Sequence, residues 1–347
     1  MLRLVYSNKL RSWICGALIL VPLNALGQNT PSDPEILQVE QVLAELKTRN
    51  LSAERIATIR ASAFQLVAAG RYEVAAQIFE AMLAAVPRDQ QAAYGAALSL
   101  FNLKKLIQAR ELAKLAADYS LQDKSRKADA LVLLGVILAV EGDNAAALAA
   151  VRQAVQLAPE KFDAQFALGR ALYGAGDLTN AISAFRKAVA LQPQHPEARF
   201  FLATTLEAAG EYVPARNAYI ELIRLRPDSA EGHLGLGVLL TKLEGGKSSA
   251  AIEELSKAVA LRADLYEARV ALGKALIKAG RAAEAVSHLK TAASLAPGNP
   301  EPHYQLALAY RRLGNTVEAA NSTARVNEIN ASRRGARTGV VPVPDKN

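Results

Sequence analysis

Between Phe162 and His195 the chain reads FDAQFALGRALYGAGDLTNAISAFRKAVALQPQH, and its apolar positions form two stretches either side of Gly174-Ala175-Gly176-Asp177. Phe166, Leu168 and Leu172 mark the first stretch, with Gly169 beside them. Ala181, Phe185, Ala188 and Leu191 mark the second, at three- and four-residue steps that place them on one face of a helix. No useful length of chain alternates apolar and polar residues as a half-buried strand would. The pattern predicts an all-α protein.

The unit recurs about every thirty-four residues. An earlier copy carries Leu134-Gly135, Gly142, Ala147, Ala154, Leu157 and Pro159; a later one carries Leu272-Gly273, Gly280, Ala285, Ala292, Leu295 and Pro297. Between and beyond them lie copies at Leu202-Ala203, Leu236-Gly237 and Leu306-Ala307, and two degenerate copies come first, around Gly70 and Ala96-Ala97. Eight units fit into residues 56–333, with four extra residues near Asp123–Arg126 and two near Gly245-Gly246.

Small residues, large apolar residues, Gly and Pro all recur in register, and this resembles the tetratricopeptide repeat. The resemblance implies a right-handed α-solenoid of stacked helix–turn–helix units. Each recurring residue has a physical task. Gly169, Ala181 and Ala188 let helices approach to the short end of the usual ~8–10 Å separation. Leu168, Leu172 and Phe185 fill the space between them. Gly176 suits a left-handed residue ending the first helix, Asp177 an N-cap of the second, and Pro196 a first helical position. One unit cannot bury its apolar stripes alone, but stacked neighbours can.

The ends are different material. Residues 1–27 place Arg3, Lys9 and Arg11 before an apolar run, Trp13 to Leu23, followed by Ala25-Leu26-Gly27. That is the layout of a secretory signal peptide, and the run is short of the ~20 residues a spanning helix needs. Cleavage would remove the single Cys, Cys15, and lower the net charge from +8 to +5, since three basic residues leave with it. Such a mild excess does not argue for nucleic acid. Residues 28–55 read as a linker and a capping helix lined by Ile36, Val39, Leu43 and Leu46, with the next helix beginning near Ser52. The last helix, about Thr316–Asn330, is polar enough to cap a stack. Residues 334–347 read as a disordered basic tail.

Catalytic chemistry finds little support. His195, His233, His288 and His303 lie at scattered repeat positions, and no pair has metal-ligand spacing. His195 suits a helix cap, while His233 and His303 share one repeat position and suit packing. Thr241 to Ser248, TKLEGGKS, approaches a phosphate loop but lacks its first Gly and the strand before it. We expect no enzyme, no cofactor and no metal.

The resemblance also points to a concave groove lined by the first helix of each unit. One recurring position holds Tyr94, Val132, Phe166, Phe200, Leu234, Val270 and Tyr304. Four residues later come Leu98, Val136, Arg170, Thr204, Val238, Lys274 and Leu308, and later still Phe101, Tyr173, Glu207, Lys242, Lys278, Arg311 and Arg312. The candidate partner-binding residues are Tyr94, Phe101, Phe166, Arg170, Tyr173, Phe200, Lys274, Lys278, Tyr304 and Arg311. The Lys/Asn carboxylate clamp of some family members is not matched. Asp129, Asp163, Glu197, Glu231, Glu267 and Glu301 open six consecutive units, either as an acidic lip or as complements to helix dipoles. The expectation is a non-enzymatic scaffold in the bacterial periplasm, binding a protein or extended peptide. The alternatives are an accessory subunit of an envelope enzyme or of a secretion or polysaccharide-export complex, and an RNA-binding array.

Overall fold

The computed structural model describes residues 36–48, 51–120, 122–244 and 248–338. Among them every regular element is a helix, seventeen in all. The signal-like residues 1–27, the glycine pair at 245–246 and residues 339–347 lie outside the described residues.

The chain divides into two compact units, one ending at Pro193 and the other beginning at Gln194. The first contains α1 (Ile36–Thr48) and four antiparallel hairpins. These are α2 (Ala53–Ala68) with α3 (Tyr72–Ala85), α4 (Gln90–Asn102) with α5 (Leu106–Tyr119), α6 (Lys124–Glu141) with α7 (Asn144–Leu157), and α8 (Phe162–Gly174) with α9 (Leu178–Leu191). The second contains α10 (Pro196–Ala208) with α11 (Tyr212–Leu225), α12 (Ala230–Leu243) with α13 (Ser249–Leu261), α14 (Tyr266–Lys278) with α15 (Ala282–Leu295), and α16 (Glu301–Arg312) with α17 (Thr316–Thr338).

Local chemistry fixes the hairpins. Gly142, Gly176, Gly210, Gly280 and Gly314 follow first helices at φ +91°, +80°, +82°, +81° and +77°, where a side chain costs about 1–2 kcal/mol. Lys104 takes the same left-handed place after α4, at φ +62°, and its ammonium lies 5.8 Å from the centre of the Phe101 ring. Asp177 caps α9 by accepting from the Asn180 N–H at 3.2 Å, and Asp143 caps α7 from Ala146 at 3.0 Å. Ser52 caps α2, and α10 starts on Pro196 as expected. Three of the four extra residues near Asp123 become helix and the fourth, Asp123, caps it: α6 has eighteen residues against thirteen in α8. Four residues are close to one turn, so the apolar register survives.

Packing follows size complementarity. A Cβ on Gly169 would stand 2.7 Å from the Phe185 ring of the same hairpin, one on Gly135 2.6 Å from Val151, and one on Gly273 2.6 Å from Leu289. Between hairpins the same device recurs: a Cβ on Gly95 would meet Phe79, and one on Gly235 would meet Tyr219, each at 2.3 Å. Phe79, Phe185, Tyr219 and Leu289 are fully buried. At the start of the first unit α1 packs on α3 and buries Leu46.

First and second helices do not pack alike. In the first unit α2 packs on α4, α4 on α6 and α6 on α8; in the second, α10 packs on α12, α12 on α14 and α14 on α16. Successive second helices make no comparable contact. Each unit therefore curves with its first helices on the inner wall.

One boundary differs from expectation. Helix α17 runs to Thr338 rather than ending near Asn330, so residues 334–338 of the expected disordered tail are helical. Ala331, Arg333, Arg334 and Ala336 are good helix formers, and the first Pro after them is Pro342.

Gly169→Val should lower the unfolding free energy by about 1–3 kcal/mol, because the Phe185 ring has nowhere to move. Denaturant unfolding followed by circular dichroism measures this. Adding Phe185→Leu to Gly169→Val should return part of the loss.

Candidate partner-binding face

The expected groove residues all lie on first helices, but the structure uses them differently. Phe101 and Phe166 are 3% and 5% exposed and are packing residues. Phe166 stacks on Phe162 at 5.5 Å, lies 5.9 Å from Phe185, and carries the Arg170 guanidinium 5.9 Å above its ring. Burial of both rings leaves little surface for an anchor on these two residues. Tyr94, Arg170, Tyr173, Phe200 and Lys274 are half-buried, with the Phe200 ring edge-on to Phe201 at 5.8 Å. Lys278, Tyr304 and Arg311 are exposed.

Burial pushes the Tyr94 hydroxyl pKa up, and the nearby carboxylates of Asp129 and Asp163 add to this. Burial also raises the pKa values of both aspartates, although Lys161 sits 2.6 Å from Asp129.

Four of the six acidic residues that open the repeats are engaged in ion pairs. An antiparallel hairpin places the start of its first helix beside the end of its second. Asp129 meets Lys161 there, Glu197 meets Arg226 at 3.0 Å, and Glu231 meets Arg262 at 2.6 Å. Glu301 is held by Lys274 at 2.5 Å and accepts from Gln305. Burial opposes its charge, but those hydrogen bonds prevail and its pKa is lowered. Exposed pairs of this kind contribute about 0–1 kcal/mol each, and they also close the open ends of the hairpins.

The histidines serve the fold in two ways. His195 Nδ1 caps α10 by accepting from the Ala198 N–H at 3.3 Å. His233 is buried, with Nδ1 2.6 Å from the Glu254 carboxylate and Nε2 3.0 Å from the Pro227 carbonyl. The equivalent position in other repeats performs the same task with other chemistry. Gln165 donates to the Pro159 carbonyl at 2.7 Å, and Arg269 to the Ala263 carbonyl at 2.6 Å. Sequence reading missed this staple because Gln, His and Arg share no hydropathy signal. Their common property is a donor six residues after the carbonyl it reaches.

The phosphate-loop-like stretch can also be placed in part. Ser248, from the phosphate-loop-like stretch, is the N-cap of α13 and accepts from the Ala251 N–H at 3.1 Å, between two helices. Among the described residues there is no group of three metal-ligating side chains, and no helix is long and apolar enough to cross a membrane.

The geometry of stacked hairpins now meets a family-level match. One tetratricopeptide repeat model matches residues 65–123, 132–196 and 240–300, more than half of the chain. A second matches residues 172–239 and 276–337. The chain belongs to the tetratricopeptide repeat family. Residues 124–131, which neither model matches, contain most of the extra turn of α6. No enzyme family is indicated. No curated protein matches the chain at sequence level.

Among solved structures, the tetratricopeptide repeat chain is similar to the C-terminal part of a repeat-containing protein from Cytophaga hutchinsonii. The two share 18% identity and a TM-score of 0.55, over 71% of this chain and 99% of that one. It is also similar to PilF of Pseudomonas aeruginosa, at 18% identity and a TM-score of 0.52, over 60% of this chain and 94% of that one. Both likenesses concern the fold alone.

The cap on α10 gives the repeat stack a pH dependence. Burial lowers the His195 pKa, with Glu197 partly opposing, so the folded chain favours the neutral ring that accepts the N–H. The stabilisation is full above the unfolded value of about 6.5 and is lost as pH falls from there through the folded value. Thermal midpoints measured from pH 7.5 to 5 should decline, and the decline should be smaller in His195→Asn, which keeps a capping oxygen.

Proposed function

We propose that the chain is a non-enzymatic scaffold of the bacterial cell envelope that holds a protein or extended peptide against the inner wall of its repeats. One observation carries the reading. Second helices are tied to first helices by size-matched packing and hairpin ends are closed by ion pairs, whereas the first helices α14 and α16 keep exposed aromatic and cationic side chains at Lys278, Tyr304 and Arg311. Membership of a repeat family built from stacked hairpins supports a binding rather than a chemical role. His195 and His233 have structural tasks in the stack, which weakens the case for acid–base catalysis by them.

Export rests on the leader-like residues 1–27, with the cleavage point after Gly27. It favours the periplasm and argues against RNA as the ligand. Suitable partners are the components of envelope assemblies, including secretion and polysaccharide-export complexes, to which the chain would be an accessory subunit. Fractionation with intact-mass measurement should find the chain in the periplasm beginning at Gln28; a cytosolic chain with Met1 retained would contradict export.

The binding reading is tested by comparing two variants in affinity capture from envelope extracts. Phe200→Ala with Val238→Glu alters the inner wall, and Asn217→Glu with Lys290→Glu alters exposed positions on second helices. The first pair should reduce capture of specific partners about tenfold or more and the second should leave it unchanged. Equal capture by both would remove the inner wall from the account.

A further inference from the structure

All four histidines of the chain lie in the second unit. Two of them belong to the same joint in successive hairpins, on opposite sides of it. In α12–α13, His233 of the first helix faces Glu254 of the second at 2.6 Å. One repeat later, the same two places in α14–α15 hold Arg269 and His288. Both first-helix side chains reach back to a carbonyl, His233 Nε2 to Pro227 at 3.0 Å and Arg269 Nε to Ala263 at 2.6 Å. The second-helix partner changes from an acid to a base.

That change decides what a proton does. In α12–α13 both ring nitrogens of His233 face oxygen, so a proton on either finds an acceptor. In α14–α15 the His288 Nδ1 is buried and has no hydrogen-bond partner among the described residues. A proton there would be a buried donor with nothing to receive it, and the Arg269 guanidinium near it is already fixed on its carbonyl. Helix α15 packs on α14 and α16. The charged groups acting on the ring are Arg269 of α14 and Glu284 of α15 itself, and none on α16 is among them. Glu284 gives little relief, because Arg281 holds both of its oxygens at 2.6 Å. Burial first, and then Arg269, keep the His288 pKa below the usual histidine value, with Glu284 opposing. In α7, α9 and α11 this place holds Ala150, Ala184 and Ala218, all buried, so the packing has no need of an imidazole.

We propose that the α14–α15 joint is an acid sensor: one proton on His288 loosens this hairpin, while the first unit, which has no histidine, stays closed. The neutral ring belongs to the folded form. The joint is therefore intact above the unfolded value of about 6.5 and weakens as pH falls from there through the folded value. The first unit has no ring to protonate between pH 7.5 and 5. Burial raises the pKa values of its Asp129 and Asp163, so acid relieves those two carboxylates rather than straining them.

Hydrogen exchange on the full chain at pH 7.5 and pH 5, corrected for the intrinsic rate, tests this. Amides of α14 and α15 should lose about tenfold in protection at the lower pH, while those of α2 to α9 keep theirs. His288→Ala supplies the side chain found at this place in three other hairpins. It should keep the protection measured at pH 7.5 and remove most of the loss. Arg269→Gln should also reduce the loss, because Gln165 makes the same reach to a carbonyl without a charge. In the unaltered chain the His288 ring, followed by NMR, should titrate with a midpoint below about 6.5, and Arg269→Gln should raise that midpoint. A midpoint at or above that value, an equal loss of protection in the first unit, or an undiminished loss in His288→Ala would each overturn the proposal. Should both variants misfold, the ring titration of the unaltered chain decides alone.

Discussion

The structure depends on one steric arrangement, a missing Cβ beneath a large side chain. Gly169 under Phe185, Gly273 under Leu289 and Gly235 under Tyr219 each set how near two helices come, and an added methyl carbon would meet the partner ring or branch inside 3 Å. Interiors are packed as densely as organic crystals, so such contacts tolerate little change in volume. Because the device operates both within a hairpin and between hairpins, it makes a hairpin's stability the property of its neighbours.

The wall follows from that packing. Successive first helices touch and successive second helices do not, which curves each unit toward its first helices. Polar groups then finish the joints. Acid–base pairs close the ends of three hairpins, and a Gln, His or Arg side chain reaches back to the preceding turn. On the first helices of the second unit, Lys278, Tyr304 and Arg311 stay exposed.

Much of this was legible in the chain itself. The thirty-four-residue register, the Gly at most left-handed turns, the Asp177 cap and the Pro196 start are local chemistry, and local chemistry is written at fixed offsets. The groove was legible as a set of positions but not as a surface. Phe166 and Tyr304 occupy the same place in their repeats, yet one is 5% exposed and the other 61%, because exposure depends on which neighbour follows. Asp129, Glu197, Glu231 and Glu301 each have a partner about thirty residues away, a distance over which hydropathy spacing has no reach. The end of α17 was misplaced because Gly335 and the arginines read as a solvated tail, while the helix continues through them.

Hydrogen exchange on the full chain, with and without a captured partner, tests the central claim most directly. Amides of first helices should gain protection when the partner binds, with α10, α12, α14 and α16 leading, while second helices exchange as before. Protection confined to second helices, or spread evenly over both, would contradict a binding face on the inner wall.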